Sequence, residues 1–243
     1  TKGDNLIKVV SPLSGSVPRT QHSKNQDSVS ILDFINESQL NGNATAALQT
    51  ALSVRRTVVI PTGFTVKVAP TATLVGNLIV DGTLQITDNC TIGCNVQVRG
   101  GDISVDTGKI ASFTGSFVAP YTRIFTGLGV VSGIRNVWCE WWGAVANGTT
   151  DSTNAIKAAL ACLTASSSTS GTRPRLTFLS GNYLVSSTLT VNITASTGME
   201  IVGQGIIFSG TRLMAAASFT GDQVVYVPSL SDTTQRIVDF KIS

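Results

Sequence analysis

Carboxylates are the side chains of this chain best suited to catalysis. The candidates are Asp81, Asp88, Asp102, Asp106, Glu140, Glu200 and Asp222. Two carboxylates can cleave a glycosidic bond when they lie about 5 Å or about 6.5–9.5 Å apart, depending on the mechanism. Turn sequences surround Asp81, Asp102 and Asp106, where Asp has a structural use, and Glu140 can cap or pair locally. Because no spacing forces two candidates together, we predict that none is catalytic, and the substrate-binding residues stay unassigned.

Thiol, imidazole and metal chemistry have little support. The single histidine, His22, stands in a polar stretch that predicts a loop, which disfavours a Ser-His-Asp or Cys-His mechanism. The cysteines are Cys90, Cys94, Cys139 and Cys162. A zinc site needs about four nitrogen and sulfur ligands at recognised spacings, and none is assembled here. We predict buried thiols in a reducing compartment, with no metal and no cofactor.

A cluster of tryptophans could serve either the core or a ligand. Trp138, Trp141 and Trp142 lie within five residues of one another. Aromatic faces can stack on sugar rings, so a glycan site is one interpretation. The other is that the rings fill the end of a hydrophobic core, and we favour this second interpretation.

Composition excludes several classes of protein. Only 13% of the residues are charged and the net charge is +3, with no basic cluster longer than Arg55-Arg56, which argues against a nucleic-acid partner. No apolar run reaches about 18 residues, and residues 1–10 contain no apolar signal segment, so we expect no membrane insertion and no signal peptide. Because 42% of the residues are hydrophobic, the chain can bury a core rather than stay disordered.

One order of elements occurs twice along the chain. Each copy has a short helix, a strand that ends in a glycine turn, and then a series of short strands. The first helix has its apolar stripe at Ala44, Ala47, Leu48, Ala51 and Leu52, and the second at Ala155, Ile156, Ala159, Leu160 and Leu163. The predicted N-caps are Asn43 or Thr45, and Asp151 or Ser152. Residues 46–52 align with 154–160, 60–63 with 178–181, and 77–82 with 199–204.

The strand pattern favours a mainly β solenoid. Strands of three to five residues alternate Thr, Val and Ile, with one to four turn residues between them; they include 77–80, 83–86 and 95–98 in the first copy and 183–185, 189–193 and 206–208 in the second, with a further strand at 236–242. Loops are predicted at residues 147–150 and in the Ser/Thr-rich tract 164–172. Such a pattern suits a parallel β-solenoid, whose coils stack about 4.8 Å apart and whose open end a short helix can cap. A β-sandwich remains the alternative on composition alone.

Two motifs carry a resemblance to known families. Trp141-Trp142-Gly143-Ala144, Asn147-Gly148 and Asp151-Ser152-Thr153 resemble the opening of pectate-lyase-like right-handed β-helices. Leu179 stands where that family has proline before Gly181 and Tyr183, and Asn147 replaces its usual aspartate. Upstream, residues 6–34 resemble the junction between virion-docking segment and β-helix in tailspikes of tailed bacteriophages, through Arg19-Thr20-Gln21-His22-Ser23-Lys24 and Val29-Ser30-Ile31-Leu32-Asp33-Phe34.

The resemblance implies a division of the chain and a function. Residues 1–28 would be an extended virion-docking segment, 29–136 a small β-rich domain with one helix, and 137–243 the start of a main β-helix that continues further. The implied function is the N-terminal part of a tailspike, a homotrimer in the phage tail, assembled in the host cytoplasm. Its partners would be a tail adaptor or baseplate protein and host capsular polysaccharide or lipopolysaccharide O-antigen. The alternative is a small polysaccharide-degrading enzyme. An adhesin is less favoured without a signal peptide.

Overall fold

A computed structural model describes residues 8–9, 19–20, 28–36, 39, 42–54, 57–70, 73–165, 174–191, 199–205 and 210–227. The helices are α1 (Thr45–Val54) and α2 (Thr153–Ala165), and a 3-10 turn precedes each, at Ile31–Asp33 and Cys139–Trp142. The strands are β1 (Lys8–Val9), β2 (Arg19–Thr20), β3 (Val29–Ser30), β4 (Val58–Ile60), β5 (Thr65–Val68), β6 (Asn77–Val80), β7 (Thr83–Ile86), β8 (Cys90–Ile92), β9 (Asn95–Val98), β10 (Asp102–Val105), β11 (Ile110–Phe113), β12 (Phe117–Val118), β13 (Phe125–Gly127), β14 (Val130–Ser132), β15 (Asn136–Trp138), β16 (Asn147–Asp151), β17 (Arg175–Phe178), β18 (Gly181–Thr190), β19 (Glu200–Gly203) and β20 (Thr211–Tyr226).

The first part of the chain passes repeatedly through three parallel sheets. The first sheet holds β3, β4, β6, β9 and β12, the second β5, β7, β10 and β13, and the third β8, β11 and β14. We call one passage through the three sheets a coil. Val58, Leu78, Val96 and Phe117 are successive partners in the first sheet, one from each coil. The parallel registers confirm the predicted mainly β, parallel architecture and exclude an antiparallel sandwich.

Alternation of apolar and polar residues determines which side of each strand faces inward. Leu78, Val80, Leu84 and Ile86 are fully or almost fully buried, and the residues between them are half-buried. Successive side chains of a strand point to opposite faces, so each strand contributes every second residue to the core. Full burial of one such aliphatic side chain stabilises the fold by about 1.5–3 kcal/mol.

The second part of the chain continues the same core. The strands β15, β17 and β19 form one parallel sheet, and β16, β18 and β20 form another. One cluster of buried residues extends from Ile31 to Met199 without a break at the junction near residue 136. The two copies therefore share one interior. The division of the chain into domains at residue 136 stays a prediction.

Repetition of hydrogen bonds shows that the two copies are built alike. Asn43 Oδ1 accepts from the backbone N–H of Thr45, and Asp151 Oδ1 accepts from that of Thr153. Each of these threonines then accepts a backbone N–H across to the next coil, from Ala69 and from Ser186, both at 2.8 Å. The predicted alignment of the two helices is thereby confirmed, and the caps are Asn43 and Asp151.

One predicted alignment was wrong by a single residue. Val58 pairs with Leu78, whereas its counterpart Leu176 pairs with Ile201. Leu78 therefore corresponds to Ile201 rather than to Glu200. A slip of one residue moves every side chain of a strand to the opposite face, so the strand registers settle what the sequence letters did not.

Helix α2 occupies the place of a strand in its coil. In the second copy α2 packs against β14, the 3-10 turn Cys139–Trp142 and β18. It therefore lies on the third side of a coil, beside the last strand of the third sheet. The predicted role of this helix as a cap at the start of the main β-helix stays a prediction, and the strands β12, β13 and β14 lie before it in the same core.

Some of the observed strands were predicted, and others lie where the sequence predicted a loop or no strand. The predicted strands 77–80, 83–86 and 95–98 are confirmed. The predicted loop at Asn147 is strand β16, and β18 runs unbroken where two strands were expected. Strand β20 was not predicted at all. Strands β16 and β18 are rich in Ser, Thr and Gly and β20 contains Ala-Ala-Ala, and pairing with the neighbouring coil makes all three stretches strands.

The N-terminal segment is described only at three places. Strands β1 and β2 pair antiparallel, with Lys8 opposite Thr20, so the chain reverses between them. The remainder of the predicted docking segment, including His22, lies outside the described residues, as do Arg55-Arg56, the Ser/Thr tract 166–172 and the predicted strands at 206–208 and 236–242. No described helix is long and apolar enough to cross a membrane.

Candidate functional site

Four of the candidate acids lie at two corners between sheets, two acids at each corner and in successive coils, while the strand register places Asp102 opposite Thr83 rather than opposite an acid. Asp102 follows Asp81 by one coil and donates its backbone N–H to the carbonyl of Gly82. Asp106 follows Asp88 by one coil and donates its N–H to the carbonyl of Ile86. Each pair therefore occupies one corner between two sheets. Recurrence of the acids at the coil period was the signal that could have found them.

Basic side chains neutralise one acid of each pair. Arg99 Nε donates to Asp81 Oδ1 at 2.9 Å, and its Nη2 lies 2.5 Å from Oδ2. Lys109 Nζ lies 2.9 Å from Asp88 Oδ1. The Arg99 hydrogen bond lowers the pKa of Asp81, and the Lys109 hydrogen bond lowers the pKa of Asp88. Both carboxyls are therefore ionised at neutral pH, which suits ion pairing and not general-acid catalysis.

Neutral side chains hold the other acid of each pair. Asp102 accepts from the hydroxyls of Thr83 and Thr126, at 2.6 and 2.8 Å, which ties three successive coils together. Asp106 accepts from Gln85 Nε2 at 2.9 Å. Asp102 is the first residue of β10, so the prediction that it is a turn residue was wrong. It lies outward on the second sheet, where neighbouring strands present threonines.

An open cleft of about 460 Å³ lies at the Asp106 corner. Its lining residues are Thr87, Val105, Asp106, Thr107, Lys109, Gly127 and Leu128. Glycoside hydrolysis requires one carboxyl that can carry a proton and one that cannot. Asp106 is the only acid among these lining residues and accepts from the Gln85 amide, while Lys109 pairs with Asp88. The cleft offers binding volume without a matched acid pair.

Glu140 lies in the interior, where the sequence indicated only a local partner. Its Oε1 accepts from the backbone N–H of Leu179 at 3.0 Å and from the Tyr183 hydroxyl, while its Oε2 is buried and has no hydrogen-bond partner among the described residues. Burial and the hydrogen bond to Glu140 raise the pKa of Tyr183 above its ordinary value. In the first copy Leu32 replaces the carboxylate of Glu140, Pro61 replaces Leu179 and has no backbone N–H, and Val66 replaces Tyr183 and has no hydroxyl. Glu140 therefore holds the second copy together.

The remaining candidate acids lie apart from these clusters. Glu200 Oε2 accepts from Arg175 Nε at 2.8 Å on the outward side of neighbouring strands. Asp222 is exposed on β20. Among the described residues no group of three or more His, Cys, Asp and Glu side chains could hold a metal ion. The prediction of no catalytic residue is not tested by these contacts and stays a prediction.

The tryptophan cluster divides between core and surface. Trp141 is buried against Phe117 and Phe125, at centroid distances of 5.4 and 6.3 Å, and its Nε1–H donates to the carbonyl of Pro120. The core interpretation is confirmed for this residue, although it fills the middle of the interior rather than an end. Trp138 instead packs against the exposed Tyr121, with centroids 4.3 Å apart.

The four cysteines, all within the described residues, are buried as the sequence predicted and form no disulfide bond. Burial raises the pKa of Cys90 and of Cys94 to about 11 and raises that of Cys139 as well, with Glu140 adding to the last effect. A thiol is a nucleophile or metal ligand only as the thiolate. These side chains are therefore core residues without chemistry of their own.

Comparison with known proteins gives one match. The family model described as "Rhamnogalacturonase A/epimerase, pectate lyase-like" matches residues 134–240, less than half of the chain and nearly coincident with the second copy. This match supports the predicted pectate-lyase-like β-helix superfamily for that part. Neither the curated proteins nor the solved structures compared give a match.

Proposed function

We propose that this chain is the N-terminal part of a bacteriophage tailspike, whose right-handed β-helix supports a body that recognises and degrades host surface polysaccharide. One observation carries the choice of a scaffold over an enzyme. The acids that share a corner between sheets, Asp81 with Asp102 and Asp88 with Asp106, are all engaged by neighbouring side chains. Ladders of this kind fasten one coil to the next and leave no acid poised for proton transfer.

The polysaccharide part of the proposal rests on the family match. The matched family is named after a rhamnogalacturonase and an epimerase. The match begins at residue 134, just before β15, and the coils before it share its core. A β-helix that continues from this point would present its outer faces to a long polymer. Residues 1–28 would connect it to a tail protein.

Particle incorporation tests the attachment role. Deletion of residues 1–26 removes β1 and β2 and leaves β3, the first strand of the coiled core, intact. We expect the shortened spike to keep its thermal unfolding midpoint and to be absent from purified virions. A matched control replaces Lys8 and Arg19 by alanine, which keeps the segment and removes two of its charges. Wild-type occupancy of the deleted spike on virions would contradict the docking role.

The enzyme alternative is favoured by the family name and tested directly. The whole chain is incubated with bacterial capsular polysaccharide, and new reducing ends and unsaturated sugars are measured. We expect no turnover above a heat-denatured sample. If turnover occurs, Asp106→Asn and Asp102→Asn will show which corner is responsible, and the scaffold proposal fails.

A homotrimer is part of the proposal. The outward positions of the sheets are mostly Thr, Ser, Asn and Gln, which lose little solvation energy compared with charged groups when a second chain covers them. Cyclic three-fold symmetry would close such contacts. Mass photometry of the spike at micromolar concentration should give three chains, and a stable monomer would contradict this expectation.

A further inference from the structure

The outward face of the sheet β15–β17–β19 carries an aromatic pair beside a polar row. Tyr121 is 55% exposed and packs against the half-buried Trp138 in a tilted arrangement, with an angle of 46° between the rings. Val137 is fully buried, so Asn136 and Trp138 on either side of it both face outward. We call the surface made of Tyr121, Trp138, Asn136, Arg175 and Glu200 the Tyr121 platform.

Strand register aligns the polar members of the platform. Asn136 lies opposite Arg175, which lies opposite Glu200. Neighbouring strands lie about 4.8 Å apart, so this is also the spacing between Asn136, Arg175 and Glu200 across the sheet. Trp138 lies two residues, or about 6.6 Å, further along its strand than Asn136. Aromatic faces and hydrogen-bonding groups therefore lie side by side on one surface.

The polar row has hydrogen-bonding capacity to spare. Arg175 uses Nε for Glu200 Oε2, and both side chains remain about half exposed, at 49% and 44%. Its terminal nitrogens and the second oxygen of Glu200 contact no other polar group of the described residues. Asn136 is exposed and adds an amide with both donors and an acceptor.

This combination is what a sugar ring requires. The C–H face of a pyranose packs on an aromatic ring, and its hydroxyls need donors and acceptors at the ring edge. Arg and carboxylate side chains can each engage two adjacent hydroxyls. A protein partner would be favoured by a wider apolar surface, whereas here the aromatic pair is bordered by a charged pair and an amide.

We infer that the Tyr121 platform is a saccharide-binding site on this chain, distinct from any site in the downstream body. One pyranose ring would lie on Tyr121 and Trp138, and a neighbouring sugar of the same chain would place its hydroxyls on Asn136, Arg175 and Glu200. The choice of a bacterial surface polysaccharide as ligand rests on the proposed function. The site itself rests on the geometry of the surface.

Binding of the whole chain to immobilised bacterial capsular and O-antigen polysaccharides tests the inference. We expect at least one polysaccharide to bind, and Tyr121→Ala to weaken that binding about tenfold, because the variant removes the exposed ring of the aromatic pair. Tyr121→Trp should bind within about threefold of wild type, since it keeps the aromatic face. Tyr226→Ala, which alters an exposed tyrosine on β20, should leave binding unchanged.

The variant Asn136→Ala, the oligomeric mass and virion incorporation separate a binding role from a structural one. Asn136→Ala removes only an exposed amide and should weaken binding several-fold with the unfolding midpoint unchanged. Equal binding by wild type and Tyr121→Ala, or no binding to any polysaccharide of the panel, would overturn the inference. A change in oligomeric mass in Tyr121→Ala would identify a protein interface instead, which also overturns it. Virion incorporation of Tyr121→Ala should be normal, so failure here is distinguishable from failure of the tailspike proposal.

Discussion

Replacement of Tyr183 by phenylalanine tests whether Glu140 holds the second copy together. The Tyr183 side chain is fully buried and its hydroxyl donates to Glu140 Oε1. Glu140 Oε2 already lacks a partner among the described residues, so the variant leaves the backbone N–H of Leu179 as the only described donor to that carboxyl. A hydrogen bond to a charged group is worth about 1.5–3 kcal/mol, and we expect Tyr183→Phe to lose that amount.

The same substitution should cost less once the carboxylate is gone. In a Glu140→Leu background the carbonyl of Leu179, 3.2 Å from the hydroxyl, is the described acceptor that remains, and residue 140 is then the same as Leu32 at the corresponding position of the first copy. We expect Tyr183→Phe to cost no more than about 1 kcal/mol there, because only a neutral hydrogen bond is lost. The coupling between the two positions should therefore exceed about 0.5 kcal/mol.

Urea unfolding of the four proteins, followed by tryptophan fluorescence, measures these differences. For a chain of this size a loss of about 2 kcal/mol corresponds to a fall of about 4–8 °C in the unfolding midpoint, which gives a second readout. Tyr226→Phe, which alters an exposed tyrosine, is the matched control and should change stability by less than about 0.5 kcal/mol. Equal costs of Tyr183→Phe in both backgrounds would refute the role assigned to Glu140.

Three further predictions follow from burial and close packing. Folding raises the pKa of Tyr183, so its protonated hydroxyl stabilises the folded state in full below pH ~10, and this stabilisation is lost as the pH rises above that value. Tyr183→Phe should therefore flatten the decline of stability at alkaline pH. The buried thiols, including Cys90 and Cys94 with pKa values of about 11, should resist a thiol reagent at pH ~8 and react after unfolding in urea; fast labelling of the native protein would contradict their burial. Gly133→Ala should destabilise by more than about 2 kcal/mol, because φ is +86° and an added Cβ would lie 2.1 Å from the carbonyl oxygen of Phe113, whereas Gly100→Ala, with open space around it, should be near neutral in thermal unfolding.

The sequence alone determined the local elements and their repetition. Alternating Val, Ile and Leu in segments such as 77–80 and 83–86 specify strands with one buried side, since the period of two is a property of the strand itself. The helices and the alignment of one helix with the other follow from local patterns as well, whereas the structure chose Asn43 over Thr45 and Asp151 over Ser152 as the caps. The burial of the cysteines and of Trp141 follows from their apolar character.

Only the tertiary structure decided how these elements meet. Pairing between coils made strands of Asn147–Asp151 and Thr211–Tyr226, whose side chains have no clear period. The strand register moved Ile201 opposite Leu176, brought Asp102 between Thr83 and Thr126, and left Trp138 half-buried at the edge of the core, where it packs against Tyr121. Contacts between coils join side chains that are distant in the chain. The number of residues between two such side chains differs from one coil to the next. A sequence pattern fixes which side of a strand faces inward, but the turns between strands fix which residues become neighbours.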